Sequence, residues 1–324
     1  MRPLLAATMA IGVALSPARP VVGRANSASV ASVESSRTRP GAGLPTVRVR
    51  HYTMSGDIRP LLFWIGQDDI GLARVTWRVG GSGVRGYELL IGTDPAKAPR
   101  ALNRWGLVAE EVEAGGGSLL ALMTGSPDTS LDEATTADGR GGVDLRSVRH
   151  ELRRGSAIWR LARVRTADRL TVHDVDRALD SVEHDSARHL GGETAQPPHT
   201  RSGFLVALAD LVERGAGGGV DSTQLDHLTR ERVRFVFGRE SYELRLKSSR
   251  GHAIDLDARP ERVVRSTFEI RTLSSGDRTR FDVSFGTTGA LTGVPLAAEW
   301  QPRWWLKVRL RLQQDRARSG HVGS

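Results

Sequence analysis

Two adjacent carboxylates, Asp68 and Asp69, stand between two apolar segments and are the first residues in the chain that could do chemistry. Paired acids can act in general acid–base catalysis when one of them is desolvated. The flanking glycines, Gly66 and Gly71, favour a simpler interpretation, a polar turn between two strands. If the chain is a hydrolase, its candidate catalytic residues are these two acids and His173.

A second group of polar side chains has the spacing of one helical face between residues 173 and 185. Imidazole and carboxylate groups at such spacing can bind a divalent cation. The members of this row are His173, Asp176, Asp180, Glu183 and His184. An apolar stripe at Val175, Leu179 and Val182 occupies the opposite face, so the row has the pattern of an ordinary solvated helix face. The sequence therefore predicts neither a metal site nor a cofactor.

Three of the seven tryptophans fall within six residues near the C-terminus, at Trp300, Trp304 and Trp305. Strand alternation places Trp304 on the apolar side of the strand that follows and Trp305 on its cationic side. An exposed tryptophan beside cations can stack on a sugar or contact a lipid headgroup. The alternative is that Trp305 covers a sheet edge or packs under a loop. The candidate residues for binding an anionic envelope glycan or lipid headgroup are Trp300, Arg303, Trp305, Lys307 and Arg309.

Short catalytic motifs are absent from the sequence. It contains no Gly-x-Ser-x-Gly elbow, no Ser-x-x-Lys pair, no His-Glu-x-x-His helix, no phosphate loop and no dinucleotide-binding glycine pattern. The chain also has no cysteine, which excludes disulfides, thiolate metal sites, a cysteine nucleophile and a lipid-modified cysteine. These absences favour a binding or structural role over catalysis.

The N-terminal 25 residues have the layout of a secretory signal peptide. Arg2 provides a positive charge, residues 4–15 form an uncharged apolar run, and small residues follow. The run is shorter than the roughly 20 apolar residues that span a bilayer, and no run of that length occurs elsewhere, so no transmembrane helix is predicted. Residues 26–45, rich in Ser, Ala, Gly, Pro and Arg, are expected to form a flexible spacer. We therefore expect a protein exported to the periplasm or outside the cell.

Arginine dominates the basic residues. The formal net charge is +9, and of 46 basic residues only Lys97, Lys247 and Lys307 are lysine. A GC-rich genome produces such a skew without selection for binding, so the charge alone does not predict a polyanion site. Nucleic acid is not predicted as a partner, because an exported protein seldom meets it.

Alternating apolar and polar residues predict β-strands over most of the remaining chain. The pattern is clearest in the last third, where Val264, Phe268 and Ile270 alternate with Arg265 and Arg271. Such alternation is typical of an antiparallel sheet with one buried and one solvated face. Residues 107–123 predict a hairpin with a glycine-rich turn.

Two short helices are predicted near the middle of the chain, at 173–185 and 204–214, and the second is apolar on most sides. Residues 191–202 suggest a linker between a β-rich half at 46–190 and a second half at 203–313, and residues 314–324 suggest a disordered tail. The predicted fold class is mainly β, with α+β possible. We expect antiparallel sheets in both halves, arranged as a sandwich or an open barrel.

The functional prediction is an exported, β-rich envelope protein with a binding or structural role. A hydrolase of envelope glycans or peptides stays as an alternative, because glycosidase carboxylates have no short sequence signature. A small outer-membrane β-barrel is the third candidate. Its arginine-rich outward faces and the lack of a terminal aromatic residue argue against that candidate.

Overall fold

The computed structural model describes residues 39–58, 64–113, 115–124, 144–153, 155–165, 170–175, 189–217, 231–256, 259–303 and 306–313. Within these residues it contains fourteen strands, one α-helix and four short 3₁₀ turns. All fourteen strands belong to a single antiparallel sheet. The mainly β prediction is confirmed, and the antiparallel strands expected in the two halves belong to one continuous sheet.

The strands follow one another around the sheet in sequence order. They are β1 Thr46–Ile58, β2 Ile65–Val79, β3 Arg85–Thr93, β4 Trp105–Glu113, β5 Gly116–Thr124, β6 Asp144–Arg153, β7 Ser156–Arg165, β8 His189–Ala195, β9 Arg232–Phe237, β10 Glu240–Leu256, β11 Arg259–Thr272, β12 Arg278–Gly286, β13 Pro295–Arg303 and β14 Leu306–Leu312. Helix α1, Phe204–Gly217, lies between β8 and β9 in the chain. Strand β1 pairs with β14, which joins the two halves and leaves β8 and β9 as the sheet edges.

The sheet curls around helix α1. This helix contacts β3, β4, β9, β10 and β12, strands that lie far apart in the strand order and could not all reach one helix from a flat sheet. The two edges also approach each other, because a Cβ built at Gly238, just after β9, would lie 3.4 Å from side-chain atoms of Leu161 and Val148. Of the two predicted arrangements, the open barrel is the one observed, with the helix inside it.

Alternate strand residues fill the inside of this barrel. Phe268 and Phe281, from the apolar rows predicted in the last third, are buried there. Phe204 of α1 packs edge-on against Phe235 and Phe281, with ring centroids 5.8 and 5.7 Å apart. Each such contact adds about 0.5–1.5 kcal/mol to the burial of the rings. The helix predicted to be buried is therefore the centre of the core.

A second apolar cluster lies on the outer face of β3 to β6. Leu107, Leu120 and Leu122 belong to it, whereas their strand neighbours, such as Val108 and Ala121, belong to the inner core. Residues 170–175 cover this cluster, and Trp105 Nε1 donates a hydrogen bond to Leu170 O at 3.1 Å. Burial on both faces explains the continuous apolar runs within β4 and β5.

Several local predictions can be compared with the structure. The hairpin at 107–123 is confirmed as β4 and β5. The range 191–202, interpreted as a linker, contains most of β8, which pairs with β7 within the same sheet. Of the helix expected at 173–185, the described part is a 3₁₀ turn at Val172–Asp174 followed by Val175, and residues 176–188 lie outside the described ranges. The signal peptide, residues 26–38 of the spacer and the tail at 314–324 also lie outside them.

In the parts of the chain that the structure describes, no helix is long and apolar enough to cross a membrane.

Candidate functional site

A buried carboxylate of β4 holds the N-terminus of helix α1. Glu110 has no solvent exposure, and its two oxygens accept hydrogen bonds from the backbone N–H groups of Leu205 and Val206, both at 2.9 Å. Amides in the first turn of a helix have no acceptor within the helix. Gly203 permits this approach, because a Cβ there would collide with Glu110 Oε1. Burial raises the pKa of Glu110 to about 7.

A buried histidine fixes the chain just before the helix. His150 of β6 is paired with Leu119, which is paired in turn with Glu110, so the imidazole and the acid lie in one inward-facing row. The Nε2 atom of His150 hydrogen bonds to Ser202 O, which assigns the proton to Nε2 because a carbonyl oxygen only accepts. Burial lowers the pKa of His150 to about 4, so the ring is neutral at neutral pH.

Ion pairs hold the more exposed part of the helix. Arg85 of β3 contacts Asp210 at 3.3 Å and Glu213 at 3.0 Å, and Arg201 reaches Asp210 at 2.6 Å. The Tyr87 hydroxyl donates a longer hydrogen bond to Glu213, at 3.5 Å. These contacts fix which face of the helix is turned towards the sheet.

An apolar cavity of about 120 Å³ separates that face of α1 from the sheet. The helix contributes Leu205 and Leu208, and the wall includes Val75, Trp77 and Trp300 on strands to either side of the β1–β14 seam. A single water molecule needs roughly 10–15 Å³ of such volume, so the space is large enough for a group of several carbon atoms. Several lining side chains, including Val75, Trp77, Leu205 and Leu208, are only half-buried, so the cavity is accessible from solvent.

Besides the tryptophans, the polar residues that line this cavity are Tyr52, Tyr87 and Glu213, and the last two are hydrogen bonded to each other. The Tyr52 hydroxyl is already used, since it donates to Pro295 O at 2.9 Å. Trp300 is 4% exposed, and its indole N–H is a buried donor with no hydrogen-bond partner among the described residues. The guanidinium of Arg48 lies 5.9 Å from the centre of the Trp77 ring. The arrangement can bind an apolar group, and the indole N–H could bind an oxygen atom.

The residues proposed from the sequence for anion binding do not form one surface. Trp300 faces the cavity inside the barrel, whereas Lys307 and Arg309 lie on the outer face. Each of these cations has an acidic partner, since Lys307 Nζ is 2.8 Å from Glu299 and Arg309 pairs with Asp57. Their charges are therefore largely compensated. Arg303 ends β13, and Trp304 and Trp305 lie outside the described residues.

Asp68 and Asp69 lie within strand β2 and not in a turn between strands. The register between β1 and β2 shifts where Met54 faces Gly71, so residues 68–70 form a bulge opposite Ser55. Asp69 takes a φ of +55° there and forms an exposed ion pair with Lys97 at 2.8 Å. Because both acids are exposed, neither is in the desolvated environment that acid–base catalysis requires.

His173 lies on the outside of the barrel in the 3₁₀ turn, where its Nε2 is 3.6 Å from Asp94. The other members of the polar row that contains it, Asp176, Asp180, Glu183 and His184, lie outside the described ranges. Within those ranges no group of three or more His, Asp or Glu side chains could hold a metal ion.

Comparisons with known proteins give fold likeness only. No family model and no curated protein matches the sequence. One similar solved structure is the β-barrel-like protein of domain of unknown function DUF1849 from Brucella abortus, with 8% identity, 83% of this chain and 98% of that chain covered, and a TM-score of 0.37. Another is a candidate lipoprotein from Parabacteroides distasonis, with 8% identity, coverage of 84% and 96%, and a TM-score of 0.29. Neither likeness carries information on ligand or activity.

Proposed function

We propose that this protein is an exported binding module of the cell envelope that takes an acyl-type chain into the cavity beside helix α1. The observation that carries the proposal is the apolar, solvent-accessible cavity itself. Export is supported by the apolar run at residues 4–15. A binding role is also supported by the two acids, Asp68 and Asp69, being exposed.

The chemistry of the cavity favours a chain that carries one oxygen acceptor. Its walls are aliphatic and aromatic side chains with one acidic residue, Glu213. Each methylene group of a ligand that leaves water for the apolar part of this wall gains about 0.8 kcal/mol. The Trp300 N–H has no hydrogen-bond partner among the described residues, and a buried donor without an acceptor costs about 1–3 kcal/mol. A carbonyl or carboxylate oxygen of the ligand would recover that cost. We therefore expect an acyl group in preference to a plain hydrocarbon.

A chain-length series tests the proposal. Displacement of the uncharged fluorophore N-phenyl-1-naphthylamine by alkanoates of increasing length should show affinity rising about four-fold per added methylene, as 0.8 kcal/mol requires. The rise should end once the cavity is filled. Adsorption to the outer surface would instead give a continuous rise without a plateau, and absence of any displacement would reject the proposal.

Two neighbouring alanines provide a matched pair of variants. Ala298 lines the cavity, whereas Ala297 faces outward on the same strand. Ala298→Leu should weaken binding at least ten-fold and move the plateau to shorter chains, because the added carbons occupy the space. Ala297→Leu should leave both unchanged. Equal effects of the two substitutions would place the binding site elsewhere.

A further variant tests the proposed hydrogen bond from the Trp300 N–H to a ligand oxygen. Trp300→Phe keeps an aromatic ring but removes the N–H, so alkanoate binding should weaken about 2- to 12-fold, the value of one hydrogen bond of 0.5–1.5 kcal/mol. The fluorophore has no oxygen atom and should bind within two-fold of its original affinity. If both ligands weakened equally, the role of Trp300 would be packing alone.

A further inference from the structure

A polar cleft on the outer face of β1, β2 and β3 gathers three arginines around one carboxylate. Glu88 lies at its floor with a side chain only 4% exposed. Arg74, Arg39 and Arg78 approach its oxygens at 3.1, 3.4 and 3.7 Å. The cleft encloses about 310 Å³, and His51 also lines it.

The sheet register and one turn bring these residues together. Arg74 and Arg78 lie on the outer face of β2 on either side of Thr76, which is the partner of Glu88 on β3. Arg39 comes from the turn ahead of β1. Gly41 anchors this turn, because its N–H donates a hydrogen bond to the Glu111 carboxylate at 2.7 Å. The turn also packs closely on β3, since a Cβ at Gly41 would lie 3.3 Å from the Gly86 backbone.

One carboxylate cannot satisfy the guanidinium groups of both Arg74 and Arg78. Each guanidinium has five N–H donors, whereas a carboxylate offers about four acceptor sites. Arg78 also donates a hydrogen bond to the Thr46 hydroxyl at 2.8 Å. The Nε of Arg74, in contrast, is buried and has no hydrogen-bond partner among the described residues. Glu88 is the acid among the described residues that line the cleft, so the positive charges of Arg74 and Arg78 meet one negative charge there.

The cations of β14 are balanced differently. On β14, Arg309 pairs with Asp57 and Lys307 with Glu299, one acid for each cation. Arginine binds phosphate and sulfate through two parallel N–H donors, a geometry that lysine cannot provide. An anion in the cleft would supply acceptors to the donors that Glu88 leaves unused.

We propose that this cleft is a binding site for a phosphate- or sulfate-type anion, with its oxygens held by Arg74 and Arg78 and with Arg39 as a third contact. Glu88 is a positioning residue, because it holds the guanidinium groups in place from below. The anion can be a free ion or the phosphate of a headgroup, which present the same oxygens. The site lies on the opposite face of the sheet from the cavity and does not depend on the acyl-chain proposal.

Arginine side-chain NMR on the full-length protein tests the site directly. Titration with inorganic phosphate should shift the Nε–H signal of Arg74, and calorimetry should show saturable binding that acetate at equal ionic strength does not reproduce. Arg74→Gln and Arg78→Gln should each weaken phosphate binding at least ten-fold. Arg265→Gln is the matched control, since this outer-face arginine has the acidic partners Asp282 and Glu299, and it should stay within two-fold.

Parallel binding assays with free phosphates and with lipid vesicles distinguish a free anion from a lipid headgroup. Binding of phosphate and glycerol 3-phosphate without binding to phosphatidylglycerol vesicles would assign the site to a free anion. Vesicle binding that is lost in both Arg74→Gln and Arg78→Gln would assign it to a headgroup. If the folded wild-type protein bound none of these probes at millimolar concentration, or if both arginine variants bound phosphate as tightly as the control, the proposal would be overturned.

Discussion

The buried acid Glu110 predicts that stability falls as the pH rises through the weakly acidic range. The pKa of its carboxyl rises from 4.5 to about 7 on folding because the group is buried. Between these pH values the folded protein keeps a proton that the unfolded chain has released, so the free energy of unfolding decreases with pH. The contribution is complete below pH 4.5 and lost above pH 7. At about 1.4 kcal/mol per pKa unit, it amounts to about 3 kcal/mol.

The neighbouring histidine has the opposite effect. Burial lowers the pKa of His150 from 6.5 to about 4, so the unfolded chain binds a proton that the folded protein does not bind. This contribution is complete above pH 6.5 and lost as the pH falls towards 4, again by about 3 kcal/mol. Between pH 4.5 and 6.5 the two slopes are opposite and nearly equal. The wild-type protein should therefore show little pH dependence from this pair over that range.

Variants that remove one group at a time should show the two opposite pH dependences that cancel in the wild-type protein. In Glu110→Gln only the histidine titrates, so stability relative to wild type should rise by about 3 kcal/mol from pH 4.5 to 7. In His150→Gln only the acid titrates, so stability relative to wild type should fall by a similar amount from pH 4 to 6.5, because the variant lacks the histidine contribution that wild type gains over that range. Urea unfolding at closely spaced pH values measures both differences.

Tyr87, the partner of Glu110 in β3, stays neutral throughout because burial raises its pKa further above its usual value.

The double variant serves as the control. With both groups removed, its profile should run parallel to that of wild type between pH 4.5 and 6.5. If Glu110→Gln instead differed from wild type by a constant amount at every pH, Glu110 would ionise in the folded protein as it does in the unfolded chain. The burial argument for the helix anchor would then fail.

Other predictions concern packing and export. Phe268→Ala should lower the free energy of unfolding by about 3–5 kcal/mol in urea titrations, whereas the exposed Arg271→Ala should change it by less than about 0.5 kcal/mol. Trp105→Phe removes one of the two donors to Leu170 O, the other being Asn103 Nδ2, and should cost about 1 kcal/mol in the same assay. Mass spectrometry of envelope fractions should find a mature N-terminus between Ala18 and Pro45, and an intact Met1 in the cytoplasm would contradict export.

The strands could be predicted because their two faces differ in solvent exposure. In β11, Phe268 and Ile270 face the core and Arg265 faces water, so the period of two is visible in the sequence. The same reasoning is weaker for β4 and β5. There both faces are buried, and the sequence does not show which of Leu107 and Val108 faces the helix.

The candidate sites depend on contacts between distant segments, which alternation does not reveal. Glu110 stands in a sequence with two acids in a row and resembles a solvated position until helix α1 is placed on it. Its position two residues after Val108, on the inward face, is the signal that could have found it. Arg39, Arg74 and Glu88 come from three segments and meet through the pairing of β2 with β3 and the turn ahead of β1. The exposure of Asp69 likewise follows from a bulge that no local pattern predicts.

Strand β2 serves both proposed sites through its alternation. Val75 and Trp77 line the cavity, whereas Arg74 and Arg78 line the cleft on the other face. The sheet therefore lies between the two ligands, and a short-chain amphiphile cannot occupy both sites through it. It follows that the headgroup of a chain held in the cavity is not the anion held by the arginines. Arg74→Gln should leave alkanoate binding intact and Ala298→Leu should leave phosphate binding intact, so either proposal can fail without the other.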